Sequence, residues 1–323
     1  MHALTLKAHG DPNQVLSLEP LRLGDLADGE IRVQVRASPI DPVDLLVVQG
    51  HYPLLPSLPA IPGLEGMGQV IAAGAGAESW LGARVLLPMR AGPWATHTQV
   101  QAERCLRLPE GLDDQQAAML RLNPPTAWDL LSGLAPGSWV IQSPGAGAVG
   151  QAVIQLARVL GLHTISLIRR PERRARLEAL GADLVLDQDQ RGLRRTVRGV
   201  VGDAPLPRAL DGSGGALTER LASCIDPAGE VICYGATTRQ PAQLSVRNSI
   251  FREIRLRGYW LLRENRVHPD AEDARLSRLA EIMIQDRLRL EVAQVFPLER
   301  WQEAFALARD SRRCGRVLLA PTP

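Results

Sequence analysis

Lysine is almost missing from this chain. Of 37 Lys and Arg residues in a sequence of 323, only Lys7 is a lysine and the rest are arginine. Aromatics are scarce at 4%, with three Tyr and three Phe, so a tyrosine in a crowded loop stands out. The four cysteines, Cys105, Cys224, Cys233 and Cys314, are scattered with no CxxC pair. That argues against a disulfide framework and against a cysteine-rich structural zinc lobe. The net charge is only +2 and both signs are interspersed, which argues against a nucleic-acid or membrane-surface protein. No apolar run approaches the ~18 residues of a membrane span, and the first residues lack a charged-then-apolar leader pattern. These absences predict a soluble, cytoplasmic protein. There is also no internal repeat and no long low-complexity segment.

What is present is enough apolar residue, 45%, to fill two cores, and the length suits two domains. Residues 138–170 carry the clearest signal. Trp139-Val140-Ile141 reads as a buried strand, and Gly145-Ala146-Gly147-Ala148-Val149-Gly150 as a tight turn. Val149, Val153, Ile154, Leu156, Ala157 and Leu160 then recur at helical spacing up to Gly161, a natural stop. Thr164 to Ile168 reads as the next parallel strand. GxGxxG at the first strand-to-helix turn of such a βαβ unit is where a dinucleotide needs it. The glycines permit the tight turn, the close approach of a pyrophosphate and the packing of helix on strand, and the helix N-terminus offers N–H groups to phosphate. After the second strand stand Arg169 and Arg170, with Arg173 and Arg174 behind and no acid until Glu172. Arginine here accommodates a 2′-phosphate, which predicts NADPH rather than NADH. The alternative is a solvated helix start in a chain rich in arginine.

Either side of this unit the rhythm differs. Residues 1–121 show short alternating runs, as in Glu30-Ile-Arg-Val-Gln-Val-Arg-Ala37, between turns rich in Gly and Pro. This predicts a mostly β, barrel-like domain. Residues 122–264 alternate strand and helix and predict a doubly wound parallel sheet, so the fold class is α/β. Residues 265–323, two helices and a closing strand, are expected to return to the first domain. The stretch 249–260 is expected to form the last strand of the sheet.

This layout, with Ser38-Pro39-Ile40-Asp41-Pro42-Val43-Asp44 and Pro62-Gly63-Leu64-Glu65-Gly66, resembles the medium-chain dehydrogenase/reductase superfamily. The resemblance implies a GroES-like barrel followed by a Rossmann domain. Where zinc alcohol dehydrogenases of that superfamily carry a Cys and a His, this chain has residues such as Asp41 and Leu64, so the zinc-free branch is implied. Residues 49–56, QGHYPLLP, 122–128, LNPPTAW, and 256–261, LRGYWL, are similar to the 2-enoyl thioester reductases of mitochondrial-type fatty acid synthesis, as is Tyr234-Gly235-Ala236. Asp41 departs from the family's usual Asn.

For that family the resemblance implies hydride transfer from NADPH to the β-carbon of an enoyl thioester and protonation of the α-carbon. Tyr52 matches the catalytic tyrosine. A phenol suits that role, being neutral at pH 7 with a reference pKa near ~10, while the alternative is a loop ring bonded to backbone. The cofactor is implied to lie against Gly145, Gly147, Ala148, Val149 and Gly150, with Asn123, Thr126, Arg169, Arg170, Tyr234, Gly235 and Ala236. Tyr259 and Trp260 are implied beside the nicotinamide and acyl channel, or else pack in the core. Arg316 either reaches the cofactor or lies at the surface. His51 and His97, without metal-ligand spacing, read as structural or surface residues. Arg255, Arg257, Arg263 and Arg266 either meet the phosphates of coenzyme A or an acidic carrier, or form a solvated face. A homodimer is implied. Two other functions remain open: a quinone or 2-alkenal reductase, and a non-catalytic NADPH-binding sensor.

Overall fold

The computed structural model describes residues 1–321. It divides into two compact units: Met1–Leu122 joined by the stretch from Leu276 onward, and Asn123–Arg275. In the first unit β1 (His2–Leu6) and β2 (Leu16–Pro20) form an antiparallel ribbon, across which Lys7 pairs with Glu19. β3 (Glu30–Pro39) is the longest strand, and its alternation puts Ile31, Val33 and Val35 inward at 1% exposure or less. Each such side chain contributes roughly 1.5–3 kcal/mol when buried. β4 (Met67–Ala73), β5 (Arg84–Leu86), β6 (His97–Gln101) and β7 (Leu106–Arg107) continue the barrel-like sheet, with β6 pairing to β3. A helix the strand pattern did not announce, Pro42–Val48, follows β3, started by Pro42 and by Asp44, whose carboxylate accepts from the Asp41 N–H at 2.8 Å.

The second unit is a six-stranded parallel sheet of β8 (Trp139–Ser143), β9 (His163–Ile168), β10 (Leu184–Asp187), β11 (Arg208–Asp211), β12 (Glu230–Cys233) and β13 (Arg255–Gly258). Its order, β10-β9-β8-β11-β12-β13, reverses direction beside β8, the switch point where ligands bind at the carboxyl ends of such sheets. The core lies between strands and helices, with Ile141, Ile165, Ala209 and Val231 fully buried. The helix Leu193–Val201, not foreseen from the pattern, buries Leu193 and Val197 against that core.

The last strand is shorter than expected. Only Arg255–Gly258 pairs with β12, and Arg247–Phe251 forms a single π-helical turn. Glu219 holds that turn, accepting from the Ser245 N–H at 2.7 Å and the Asn248 amide at 2.8 Å. The return to the first unit also begins later than expected, at Leu276. The helix Leu261–Val267 and the start of Pro269–Ile284 stay with the parallel sheet, where Arg275 pairs with Asp129. The chain then closes the first sheet with β14 (Val292–Phe296), missed by the sequence reading, and β15 (Arg316–Leu319), which runs antiparallel to β3. Among the described residues, no helix is long and apolar enough to cross a membrane.

Candidate cofactor and active site

The turn after β8 is built as a cradle. Gly145 donates its N–H to the Leu167 carbonyl at 2.9 Å, which seats the turn on the end of β9. A Cβ on Gly145 would lie 2.7 Å from the Ser166 Cβ, and one on Gly150 would lie 2.5 Å from the carbonyl oxygens of Pro144 and Gly145. Both positions therefore need glycine for packing. Gly147 differs: a Cβ there meets nothing nearer than 3.5 Å. No packing contact among the described residues demands glycine at 147, whereas a pyrophosphate approaching the backbone would. Gly147 is the N-cap of the helix Ala148–Leu160 and supplies no side-chain cap. The first-turn N–H groups of Ala148, Val149 and Gly150 thus head the helix as an anion site. The residues fit a dinucleotide.

Around it the carboxyl ends of the strands supply polar groups. Arg169, exposed, and Arg170, half-buried, follow β9 directly. Asp211 ends β11; its carboxylate accepts from the Ser213 N–H at 2.8 Å, the Gly214 N–H at 2.9 Å and the Thr218 hydroxyl at 2.6 Å. Those bonds fix the loop beyond β11, against which Tyr234 packs at Gly212. Sequence reading missed Asp211, although an Asp before Gly-Ser-Gly-Gly is a side-chain-capped turn signature. Tyr234 is half-buried, with Gly235 and Ala236 exposed after it. Burial, with Asp211 nearby, pushes the Tyr234 phenol upward. Burial likewise pushes the Cys233 thiol up to about 11, which keeps it protonated at neutral pH.

Asn123 and Thr126 are buried in the helix Asn123–Leu131. On the same helix Asp129, which sequence reading also missed, accepts a 2.7 Å hydrogen bond from the Tyr259 hydroxyl and pairs with Arg275 at 2.5 Å. Trp260, next to Tyr259, is 37% exposed.

In the first unit Tyr52 is placed by the end of the helix Pro42–Val48. Gly50, at φ +78°, donates to the Val47 carbonyl at 3.1 Å, and His51 donates to the Leu46 carbonyl at 2.8 Å. This is a glycine-closed helix end, and it delivers Tyr52, half-buried, one residue later. His51 is exposed, and the His97 ring bonds the Thr96 hydroxyl at 3.0 Å.

Beside that helix lies a buried acidic cluster. Asp41, Asp44 and Glu65 are all 1% exposed or less. Glu65 accepts from the Arg121 N–H at 2.8 Å, a backbone-holding task. Burial first, and Asp41 second, hold the carboxyls of both Asp44 and Glu65 well above the usual range. Arg316 is neither exposed nor at the surface: it is 7% exposed in β15, its guanidinium 3.0 Å from Asp41. That pair gives Arg316 a task inside the barrel unit. Among the described residues, no group of three or more His, Cys, Asp or Glu could hold a metal ion.

The family models matching the chain are an alcohol dehydrogenase GroES-like domain over residues 27–120 and a zinc-binding dehydrogenase over residues 148–275. The mitochondrial enoyl-acyl-carrier-protein reductase of Rattus norvegicus is 37% identical, over 94% of this chain and 84% of its own length. The chain belongs to the medium-chain dehydrogenase/reductase superfamily. Its relatives there include solved reductases. The 2-enoyl thioester reductase of Candida tropicalis, in complex with NADP and crotonyl-CoA, superposes with a TM-score of 0.91 at 26% identity and 99% coverage of both chains. That reductase has also been solved as a heterodimer. A Bacillus thuringiensis protein provisionally assigned as an NADPH:quinone reductase matches with the same TM-score, identity and coverage, 0.91, 26% and 99% of both chains. The superfamily layout accounts for both units: a barrel-like sheet closed by β15, and a dinucleotide sheet with its cradle at β8.

Proposed function

We propose that this protein is an NADPH-dependent reductase of trans-2-enoyl thioesters, carried on coenzyme A or an acyl carrier. The observation that carries the reading is the 37% identity to an enoyl-acyl-carrier-protein reductase across 84% of that enzyme, joined to a cradle that fits a dinucleotide. Bound at the cradle, NADPH supplies the hydride for the β-carbon. The chain does the rest: Gly147 and the first helical turn hold the pyrophosphate, Arg169 and Arg170 hold the 2′-phosphate, and Asn123, Thr126, Tyr234, Gly235 and Ala236 line the cofactor. Tyr52 is the donor assigned to the oxyanion that develops on the thioester, and Trp260 borders the acyl channel, next to Tyr259, whose hydroxyl is taken up by Asp129. The test follows NADPH oxidation with crotonyl-CoA, a longer trans-2-enoyl-CoA and 1,4-benzoquinone side by side. Thioester turnover well above quinone turnover supports the reading. Quinone turnover alone moves the protein to the second reading, which the Bacillus thuringiensis structure favours. Tight NADPH binding without turnover would make it a sensor.

Arg170→Ala should raise KM for NADPH by roughly tenfold and leave KM for NADH unchanged, because it removes a charge-assisted bond to the 2′-phosphate alone. Equal effects on both cofactors would return Arg170 to the solvated surface.

The reading includes a homodimer. β13 is the outer strand of its sheet, and beside it Val246, Ile250 and Phe251 are 66%, 63% and 79% exposed. An open strand edge flanked by apolar side chains is an aggregation hazard unless paired. Light scattering should give twice the 35.1 kDa chain mass, and Phe251→Asp should shift it toward the monomer. A wild-type monomer at micromolar concentration would end this part of the reading.

A further inference from the structure

The strand end at Tyr259 and Trp260 is held by groups far apart in the chain. The Tyr259 N–H donates to the Cys233 carbonyl at 2.8 Å, so the backbone there still follows the sheet ladder. Trp260 is extended, at φ −141° and ψ 108°. Successive side chains of extended backbone point to opposite sides. Tyr259 goes to the Asp129 side, where its hydroxyl donates to the carboxylate at 2.7 Å, and Trp260 is sent the other way. Asp129 is itself fixed by Arg275, and the two side chains are only 20% and 12% exposed. The second Arg275 nitrogen donates to the Asn265 side chain, so the clasp spans three helices and the strand end. Burial and Asp129 both push the Tyr259 phenol upward, which keeps it a donor at any ordinary pH.

Trp260 also occupies a position for which an indole is poorly suited. It is the N-cap of the helix Leu261–Val267, accepting from the Arg263 and Glu264 N–H groups through its backbone and giving no side-chain cap. Ser, Thr, Asp or Asn is preferred there. An indole at this cap forgoes the side-chain bond that Ser or Asp would give, and a half-buried ion pair fixes the residue before it.

We propose that Asp129, Tyr259 and Arg275 are positioning residues that aim the Trp260 indole and thereby set which acyl chain lengths the enzyme accepts. The inference rests on the enoyl thioester reading, in which Trp260 borders the acyl channel. Two readouts separate the inference from that reading. In protein labelled with 5-fluorotryptophan, the fluorine line of Trp260 is assigned by its loss in Trp260→Phe. Tyr259→Phe, which removes one hydroxyl, and Asp129→Leu should shift or broaden that line, and Asp129→Asn, which keeps an oxygen acceptor, should restore it. In parallel, the ratio of kcat/KM for dodecenoyl-CoA to that for crotonyl-CoA should change about tenfold in Tyr259→Phe and in Trp260→Phe. Thermal unfolding checks that Tyr259→Phe remains folded. If the Trp260 line stays put in Tyr259→Phe and Asp129→Leu, the clasp does not aim it and the proposal falls. If the line moves but Trp260→Phe leaves the ratio unchanged, the channel reading of Trp260 fails and takes the specificity claim with it. A ratio that responds to Trp260→Phe but not to Tyr259→Phe overturns the positioning role alone.

Discussion

Tyr52→Phe should lower kcat on enoyl thioesters by roughly 10²- to 10³-fold while leaving NADPH affinity unchanged, the size of effect found when one donor to a developing oxyanion is removed. The ring remains, so the loop that carries it keeps its packing, and only the hydroxyl is lost. Gly50 at φ +78° and the His51 bond to Leu46 hold the loop's start through the backbone. A Cβ on Gly50 would come within 2.9 Å of His9, so this helix end is closely specified. A phenol is suited to the work because it donates while neutral. Binding by fluorescence titration with NADPH and single-turnover reduction of crotonyl-CoA separate the two parameters. Full kcat/KM in the variant would remove Tyr52 from the chemistry, and loss of NADPH affinity would make it a cofactor contact.

Arg316→Met should cost about 3–5 kcal/mol of stability, the usual result of removing one partner from a buried ion pair. The guanidinium faces Asp41 at 3.0 Å, and its removal leaves three buried carboxyls together with less positive charge. Arg316→Met combined with Asp41→Asn should recover most of the loss, since no charge is then stranded. Their pH dependence has a definite sign. Asp44 and Glu65 are held above the usual carboxylate range by burial and by Asp41, so the folded chain keeps protons that the unfolded chain releases. Stability therefore falls as pH rises from the ordinary carboxylate range toward the raised values. The slope should be steeper in Arg316→Met and flatter in Glu65→Gln, read from urea midpoints between mildly acidic and mildly alkaline pH. A slope of the opposite sign would mean that the cluster is ionised in the folded state.

Much of this architecture is local, and for that reason legible in the residues. GxGxxG between an apolar strand and a helical repeat needs only thirty-odd neighbouring residues to be read, and the structure places the turn at the end of β8 with Gly145 and Gly150 sterically required. The alternation of residues 30–37 likewise became β3. What escaped was decided by partners distant in sequence. β14 is short and has two exposed positions; its pairing with β15 defines it. Arg316 looked interchangeable with other arginines until β15 was laid beside β3, which brings it to Asp41. Asp129 carries no motif, and its role depends on Tyr259 and Arg275, which lie 130 and 146 residues further along. The π-helical turn stands where the last strand was expected, and it is held from another element by Glu219, which accepts from the Asn248 amide and from the Ser245 N–H just before the turn.

The pairing of Lys7 with Glu19 has a practical side. Lys7 is the sole lysine, and its side chain is 62% exposed on the β1–β2 ribbon. Apart from the α-amine, an amine-directed dye therefore finds one side chain to modify in the whole molecule, and it is confined to the barrel unit. Paired with a thiol-directed dye at the exposed Cys314, it would give a distance reporter whose two ends both ride on the same unit. The signal would follow the unfolding of that unit by itself, and set against the unfolding of the whole chain by circular dichroism it would tell whether the two units melt together or in turn.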